Sequence, residues 1–347
     1  MSSSKEEFSK LAQQLEKFLR SKLSNDVSIT GSLARLHGGF DTDTYAFSIE
    51  NPPLNFPHEL VLRHYQTRGE SMRVVFESTM QSVARNAGHP VAHVPIDSSG
   101  HLLDNRPFLI MERLPWSALG DLLGDQSVLQ QLPQIMAKLQ LGLHKINSSG
   151  LKSKLEESGV NIEFMSPLIM LKRVTALANA CKEPKLLTVN SWLVDNWPNQ
   201  PQTPTICHGD FHTNNILYLD GKVTGLIDWG NVMFTHPEFD VAVTRLILSN
   251  GPPESDNDAS AALRPMINRL IAEYIAIYRK QSSLDDTLLD YYAALRSAHA
   301  YAKVIGDKRG VDLPYVAGDG YAWALPQLFR TITRVIENTT GLTLESG

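Results

Sequence analysis

The sequence predicts an α+β protein of two lobes, with strands gathered early and helices filling the rest. Three observations carry that expectation. Thr44–Ile49, Leu60–Tyr65 and Pro107–Met111 are short runs rich in strand-forming residues. After Arg113, apolar residues recur at helical spacing over roughly 127–147, 165–182, 184–196, 237–250, 261–281, 285–305 and 324–338. A chain of 347 residues is also long for one core. Strands segregated from helices in this way favour α+β lobes over an alternating βαβ fold, with the crevice between lobes as the natural ligand site.

The elements follow in order. Residues 5–23 place Phe8, Leu11, Leu15, Phe18 and Leu19 on one helical stripe, expected to pack on its own domain. Asn51-Pro52-Pro53 begins the link between the first two strands, and 70–87 reads as a helix ending at Gly88-His89-Pro90. Asp97-Ser98-Ser99-Gly100 marks a turn before the third strand. In the helical part a single strand pair is expected, Asn215–Leu219 and Lys222–Ile227, because Asp220-Gly221 is a strong two-residue hairpin signal. Gly251–Asp258 reads as a surface loop. The resulting division is a helix at 1–25, a strand-rich lobe at 26–113 and a helical lobe at 114–347.

Composition narrows the function classes. Hydrophobic residues make up 42% and charged residues 20%, as in a globular chain. A net charge of −5 argues against a nucleic-acid partner, which calls for a basic face. No apolar run approaches the roughly 20 residues of a membrane span, and the polar N-terminus does not read as a signal peptide. Cys181 and Cys207 form no CxxC pair, so a reducing cytoplasm is the expected compartment. Nothing in the sequence fixes an oligomeric state.

The chemistry is concentrated in Ile206-Cys-His208-Gly-Asp210-Phe-His212-Thr-Asn-Asn215-Ile-Leu217, followed by Leu226-Ile-Asp228-Trp-Gly230. Asp210 and Asn215 stand five residues apart, the Asp-to-Asn spacing of a kinase catalytic loop. Asp228 ends an apolar run, where a metal-binding Asp would sit. Phosphoryl transfer needs an aligned acceptor hydroxyl and neutralised phosphate charge. Asp210 can take the hydroxyl proton, and Asn215 and Asp228 offer the hard oxygen donors that suit Mg²⁺. The expected activity is therefore transfer of a phosphoryl group from ATP, or GTP in its place, to a small-molecule hydroxyl acceptor.

With Pro237-Glu-Phe-Asp240 added, these motifs resemble the aminoglycoside phosphotransferase and choline kinase superfamily, which has a protein-kinase-like fold. The resemblance implies an antiparallel-sheet lobe that binds nucleotide and a larger helical lobe that carries the catalytic loop and acceptor site. It implies Asp210 as the catalytic Asp, Asn215 and Asp228 as Mg²⁺ ligands, His208 as a brace and Asp240 as a buried acceptor for loop backbone. His212 would donate toward the γ-phosphate or serve the loop passively.

In the strand-rich part, Gly38 and Gly39 resemble the family's nucleotide loop, since glycines let backbone N–H groups approach phosphate. Arg63 stands where protein kinases carry a Lys and would clamp the α/β-phosphates. Glu77 is the expected partner of Arg63, with Glu70 in competition. Met111, Glu112 and Leu114 resemble the hinge, with adenine bound to the Glu112 carbonyl and the Leu114 N–H.

The acceptor is expected against the helical lobe, with Asp307, Asp312, Asp319 and Glu337 available to a cationic substrate and Tyr315, Tyr321 and Trp323 to an apolar or quaternary amine. The competing expectation is a nucleotide-binding pseudokinase scaffold, against which the full Asp210, Asn215 and Asp228 set argues. Asp228-Trp229-Gly230 runs quickly into His236-Pro237-Glu238, so little room is left for the activation loop of a protein kinase.

Overall fold

The computed structural model describes residues 2–36, 42–66, 70–98, 100–115, 117–249, 258–311, 313 and 326–344. In chain order the elements are α1 (Ser2–Lys22), β1 (Ser28–Leu36), β2 (Thr42–Glu50), β3 (Glu59–Tyr65), α2 (Ser71–Asn86), β4 (Ile96–Asp97), β5 (Phe108–Glu112) and β6 (Ser117–Ala118). There follow α3 (Gln126–His144), α4 (Leu151–Glu157), α5 (Leu168–Cys181), α6 (Pro184–Asp195), β7 (Thr205–Cys207), β8 (Ile216–Leu219), β9 (Lys222–Leu226) and β10 (Met233–Thr235). The chain ends with α7 (Pro237–Ser249), α8 (Asp258–Arg279), α9 (Asp286–Lys308) and α10 (Pro326–Thr340). The fold is thus α+β, with a small antiparallel sheet and a larger helical part. No helix among the described residues is long and apolar enough to cross a membrane.

The chain divides into two compact units, one of Met1–Trp116, Leu155–Val160 and Leu217–Gly230, the other of Ser117–Lys154, Asn161–Ile216 and Asn231–Gly347. In the first unit the sheet order is β1-β2-β3-β5-β4, every neighbouring pair antiparallel. Alternation along β3 sorts its side chains onto two faces. Leu60 and Leu62 join Leu11, Leu15, Phe18 and Leu19 of α1, together with Phe47 and Phe108. Leu15 and Leu19 are wholly buried there, each worth roughly 1.5–3 kcal/mol of transfer free energy. The α1 stripe therefore packs on its own sheet, as its spacing leads one to expect; the Phe8 side chain lies outside the described set. On the other face, Val61 and Tyr65 pack with Val74 of α2 and with Leu109 and Met111 of β5. Arg63 follows the same alternation as Val61 and Tyr65, which aims it at α2 rather than α1.

The hairpin of β8 and β9 turns through Asp220 (φ +49°) and Gly221 (φ +80°). Two consecutive positive φ values mark the tight turn that Asp-Gly encodes. Leu226, at the end of β9, donates its N–H to Pro90 O at 2.8 Å and forms a parallel bridge with Val91, which fixes the chain just before Asp228.

The second unit is built from α3 and α5–α10. Three features of the sequence expectation need correction. The helical part holds more than one strand pair, because β7 and β10 also pair antiparallel, Cys207 opposite Met233. Each is three residues long, too short to show a period. The expected pair, Asn215–Leu219 and Lys222–Ile227, is also trimmed at its outer ends, because Asn215 lies in a 3-10 turn and the second strand closes at Leu226. Finally, β1 is a full strand of the sheet, interrupted by a register shift between Thr30 and Ala34 that contains Gly31 at φ +74°. That irregularity and its exposed Ser and Thr residues hide its alternation. Cys181 and Cys207 are buried free thiols.

Candidate active site

In the second unit, the segment after β7 is shaped by a buried carboxylate below it. Asp240, near the start of α7, is wholly buried. It accepts the Gly209 N–H at 2.7 Å and the His208 N–H at 3.0 Å. His144 of α3 donates from Nε2 to the same carboxylate at 3.0 Å, and its Nδ1 lies 2.6 Å from the Tyr278 hydroxyl of α8. With the imidazole neutral and protonated at Nε2, Nδ1 accepts from Tyr278 and all three groups are satisfied. Burial raises the Asp240 pKa, but the hydrogen bonds from His144 and from the Gly209 N–H favour the carboxylate and the carboxyl is held below its ordinary value.

Gly209 permits this geometry. It sits at φ +75°, and an added Cβ would fall inside the van der Waals envelope of the Asn231 carbonyl oxygen. His208 is buried, its ring edge-on to Phe211 at 6.3 Å between centroids. Asp210 and Asn215 are both buried at the turn. The Asn215 side-chain nitrogen donates to the Asp210 carbonyl at 2.9 Å, which orients the amide and leaves its oxygen as the donor atom for a cation. His212 accepts the Asn214 N–H at its Nδ1 (3.3 Å), while its Nε2 lies 3.1 Å from Asn215 Nδ2 and 3.5 Å from Asp210 Oδ1. A neutral imidazole has one acceptor nitrogen. The Asn214 N–H at Nδ1 and the Asn215 amide at Nε2 compete for it, with the Asp210 carboxylate 3.5 Å from Nε2. An added Cβ at Gly120 would meet the side-chain oxygen of the exposed Asn214, which would have to shift.

In the first unit, Arg63, Glu77 and Asp228 come together. Glu77, on α2, is wholly buried. Its Oε2 accepts the Tyr65 hydroxyl at 2.7 Å and lies 3.7 Å from Arg63 Nη1. Its Oε1 accepts Arg73 Nε at 2.8 Å. Arg63 Nη2 reaches Asp228 Oδ1 at 3.2 Å. Glu70 is turned to Arg73, at 3.0 Å. Both guanidiniums lie over the Tyr65 ring, at 5.9 Å for Arg63 and 5.6 Å for Arg73. Burial lowers the Arg63 pKa, yet Glu77 and Asp228 more than offset it and keep the guanidinium charged. Burial beside Glu77 pushes the Tyr65 phenol well up, so it stays a donor.

Asp228 has φ +61°, in the left-handed region that a non-glycine residue enters only at a cost. Trp229 is buried beside it and donates Nε1–H to Leu226 O at 3.0 Å, anchoring the turn. The Asp228 carboxylate is partly exposed while one oxygen is held by Arg63.

The other expected positions divide three ways. Met111 is buried between sheet and α2, and Leu114 packs against the same cluster and against Gly225. Glu112 directs its carboxylate to the His93 N–H (3.3 Å) and Arg85 (3.5 Å), leaving main-chain recognition as the role open to it. Asp307 pairs with Lys303 along α9, and Glu337 accepts the Leu344 N–H beyond α10, so both carboxylates serve helix ends. Gly38, Gly39, Asp312, Tyr315, Asp319, Tyr321 and Trp323 lie outside the described residues.

Sequence reasoning missed Arg73, Tyr65, His144 and Tyr278. For Arg73 a signal existed, since it stands three residues after Glu70 and four before Glu77, the spacings of helical ion pairs. His144 and Tyr278 meet only through packing of α3 on α8, which no local period records.

Comparison with known proteins bears on the family and the fold. A model of the phosphotransferase enzyme family, APH, matches residues 32–274. Among solved structures, a Ralstonia eutropha protein provisionally described as an aminoglycoside phosphotransferase superposes with a TM-score of 0.61 at 16% identity, covering 94% of this chain and 98% of that one. A thermostable mutant of aminoglycoside phosphotransferase APH(4)-Ia, in ternary complex with ADP and hygromycin B, gives 0.56 at 16% identity, covering 93% and 98%. At these identities the likeness concerns the fold. Among curated proteins, acyl-CoA dehydrogenase family member 11 of Mus musculus is 26% identical over 193 residues, 51% of this chain. The matched region spans only 23% of that relative's length, so the relative's name does not carry over. The family match covers well over half of the chain, from the first sheet strand to α8: the chain belongs to the phosphotransferase enzyme family.

Proposed function

We propose that this protein transfers the γ-phosphoryl group of ATP, or of GTP, to a hydroxyl of a small molecule. The observation that supports this best is the Asp210–Asn215 turn, whose preceding backbone is cradled by the buried Asp240 carboxylate. A phosphotransferase works by alignment and charge neutralisation, and a carboxylate on so constrained a loop can aim a hydroxyl. Asp210 hydrogen-bonds the acceptor hydroxyl and takes its proton as the new O–P bond forms and the bond to the β-phosphate oxygen breaks. His212, beside Asp210, steadies the Asp210 carboxylate or the γ-phosphate.

Arg63 holds the α/β-phosphates from β3, with Glu77 behind it. The Glu112 carbonyl and Leu114 N–H hold the base beside Met111. The donor set fits magnesium: Asn215 has its amide oxygen directed away from the loop bond, and Asp228 keeps a partly exposed carboxylate. Mg²⁺ bound by Asn215 and Asp228 would supply neutralisation of phosphate charge.

The acceptor is an alcohol on a small molecule, and its class is the finer point to be measured. The test is Mg·ATP consumption with the purified chain against a panel of aminocyclitols, macrolides, amino alcohols and sugars, with Asp210→Asn as the blank. Acceptor-dependent ADP release that disappears in the variant is expected. Nucleotide binding without turnover on any acceptor would favour a pseudokinase scaffold. Turnover that survives Asp210→Asn would remove Asp210 from the mechanism.

A further inference from the structure

The Arg63–Glu77 pair is not a simple ion pair. Glu77 is wholly buried, where a carboxyl group calls for close polar partners. Its near partners are Arg73 Nε at 2.8 Å on one oxygen and the Tyr65 hydroxyl at 2.7 Å on the other, while Arg63 stays at 3.7 Å and extends its other terminal nitrogen to Asp228. Arg73 is itself fixed by Glu70 at 3.0 Å and is only slightly exposed, so its guanidinium cannot swing away. It also reaches the turn that follows Asp228: a Cβ at Gly230 would fall 2.4 Å from Arg73 Nη2, with Arg63 Nη2 and Asp228 Oδ1 each at 3.4 Å.

We infer that Arg73 is a positioning residue, which occupies Glu77 so that Arg63 remains shared between Asp228 and the nucleotide phosphates. Without Arg73, the Oε1 atom of Glu77 loses its close cation. The nearest remaining guanidinium, Arg63, is then drawn down to Glu77 and away from Asp228. Tyr65 contributes in the same sense from the other oxygen, because its hydroxyl takes the position that Arg63 would otherwise close upon. Arg73 thus acts through Arg63 and does not touch the substrate.

This inference rests on the nucleotide reading above, and its test separates the two. Mg·AMP-PNP is titrated calorimetrically into the full chain as wild type, Arg63→Met, Arg73→Met and the double variant, with the folded fraction of each fixed by circular dichroism. Arg73→Met should weaken binding about 10-fold, or ~1.4 kcal/mol, in the wild-type background. In the Arg63→Met background it should have no further effect, because the residue it positions is gone. Tyr65→Phe, a conservative change, should weaken binding in the same direction by about threefold, some 0.6 kcal/mol.

An equal loss from Arg73→Met in both backgrounds would overturn the inference, since Arg73 would then contact nucleotide directly. An unchanged affinity in Arg73→Met and Tyr65→Phe would overturn it too, leaving Arg73 a structural ion pair. If the wild type binds no Mg·AMP-PNP, the nucleotide reading itself falls and takes the inference with it.

Discussion

Asp240→Asn tests the foundation of the loop. The carboxylate receives the Gly209 and His208 N–H groups and the His144 Nε2–H, all within 3.0 Å, at a site without solvent. The amide is nearly isosteric but keeps one acceptor oxygen and brings two donors. Whichever way it turns, its NH₂ faces a main-chain N–H, and that buried donor goes unpaired at about 1–3 kcal/mol. The remaining bonds lose their charge assistance, which adds about 1 kcal/mol. If His144 moves its proton to Nδ1, Nε2 can accept from the amide, and the Tyr278 contact must reverse its donor. The net expectation is a loss of about 2–4 kcal/mol. Urea denaturation followed by tryptophan fluorescence reads it, since buried Trp229 and the other tryptophans report on both units. Turnover should fall further than stability alone explains, because the Asp210 backbone is released. Stability within about 0.5 kcal/mol of wild type would refute the cradle, since even one orphaned buried N–H exceeds that figure.

Three further outcomes follow from the same geometry. Gly209→Ala places a side chain at φ +75° against the Asn231 carbonyl; left-handed strain of about 1–2 kcal/mol and a displaced loop should reduce kcat/KM by about 100-fold, and full activity would contradict the assignment. Stability should decline on acidification from pH 6.5. Burial lowers the pKa values of His64 and His236, so the unfolded chain takes up protons first and the folded state loses ground as pH falls through 6.5. Asp240, lowered below 3.8, adds a second loss as pH falls through its own folded value. Calorimetric melting at pH 7.5, 6.0 and 5.0 should show falling midpoints, with a smaller fall in His236→Gln; midpoints that rise would reverse the argument. Chelation of divalent ions should weaken ATP binding in the wild type and change little in Asp228→Ala, as measured by equilibrium dialysis with and without EDTA.

The parts of the site set by local spacing were legible in the sequence. Asp210 and Asn215 share one turn because five residues span it, and Asp220-Gly221 dictates a hairpin through its backbone preferences alone. Arg63 could be placed on the α2 face by the alternation of β3. Glu77 was preferred over Glu70 as the partner of Arg63, and the structure turns Glu70 to Arg73 instead, a choice that depends on how α2 seats on the sheet. His144 and Tyr278 were invisible for a related reason: their value lies in meeting Asp240 across three helices. Strands β7 and β10 escaped because three residues carry no period, and β1 because its register shift breaks the alternation that would reveal it.

The central claim is that Asp210 directs an acceptor hydroxyl onto the γ-phosphorus of a magnesium-bound nucleotide. Phosphorus NMR of a reaction containing ATP, Mg²⁺ and an acceptor found in the screen tests it most directly. The account predicts a new phosphomonoester resonance that grows in step with ADP and is absent with Asp210→Asn. Release of inorganic phosphate alone, or the same resonance at the same rate from the variant, would contradict it.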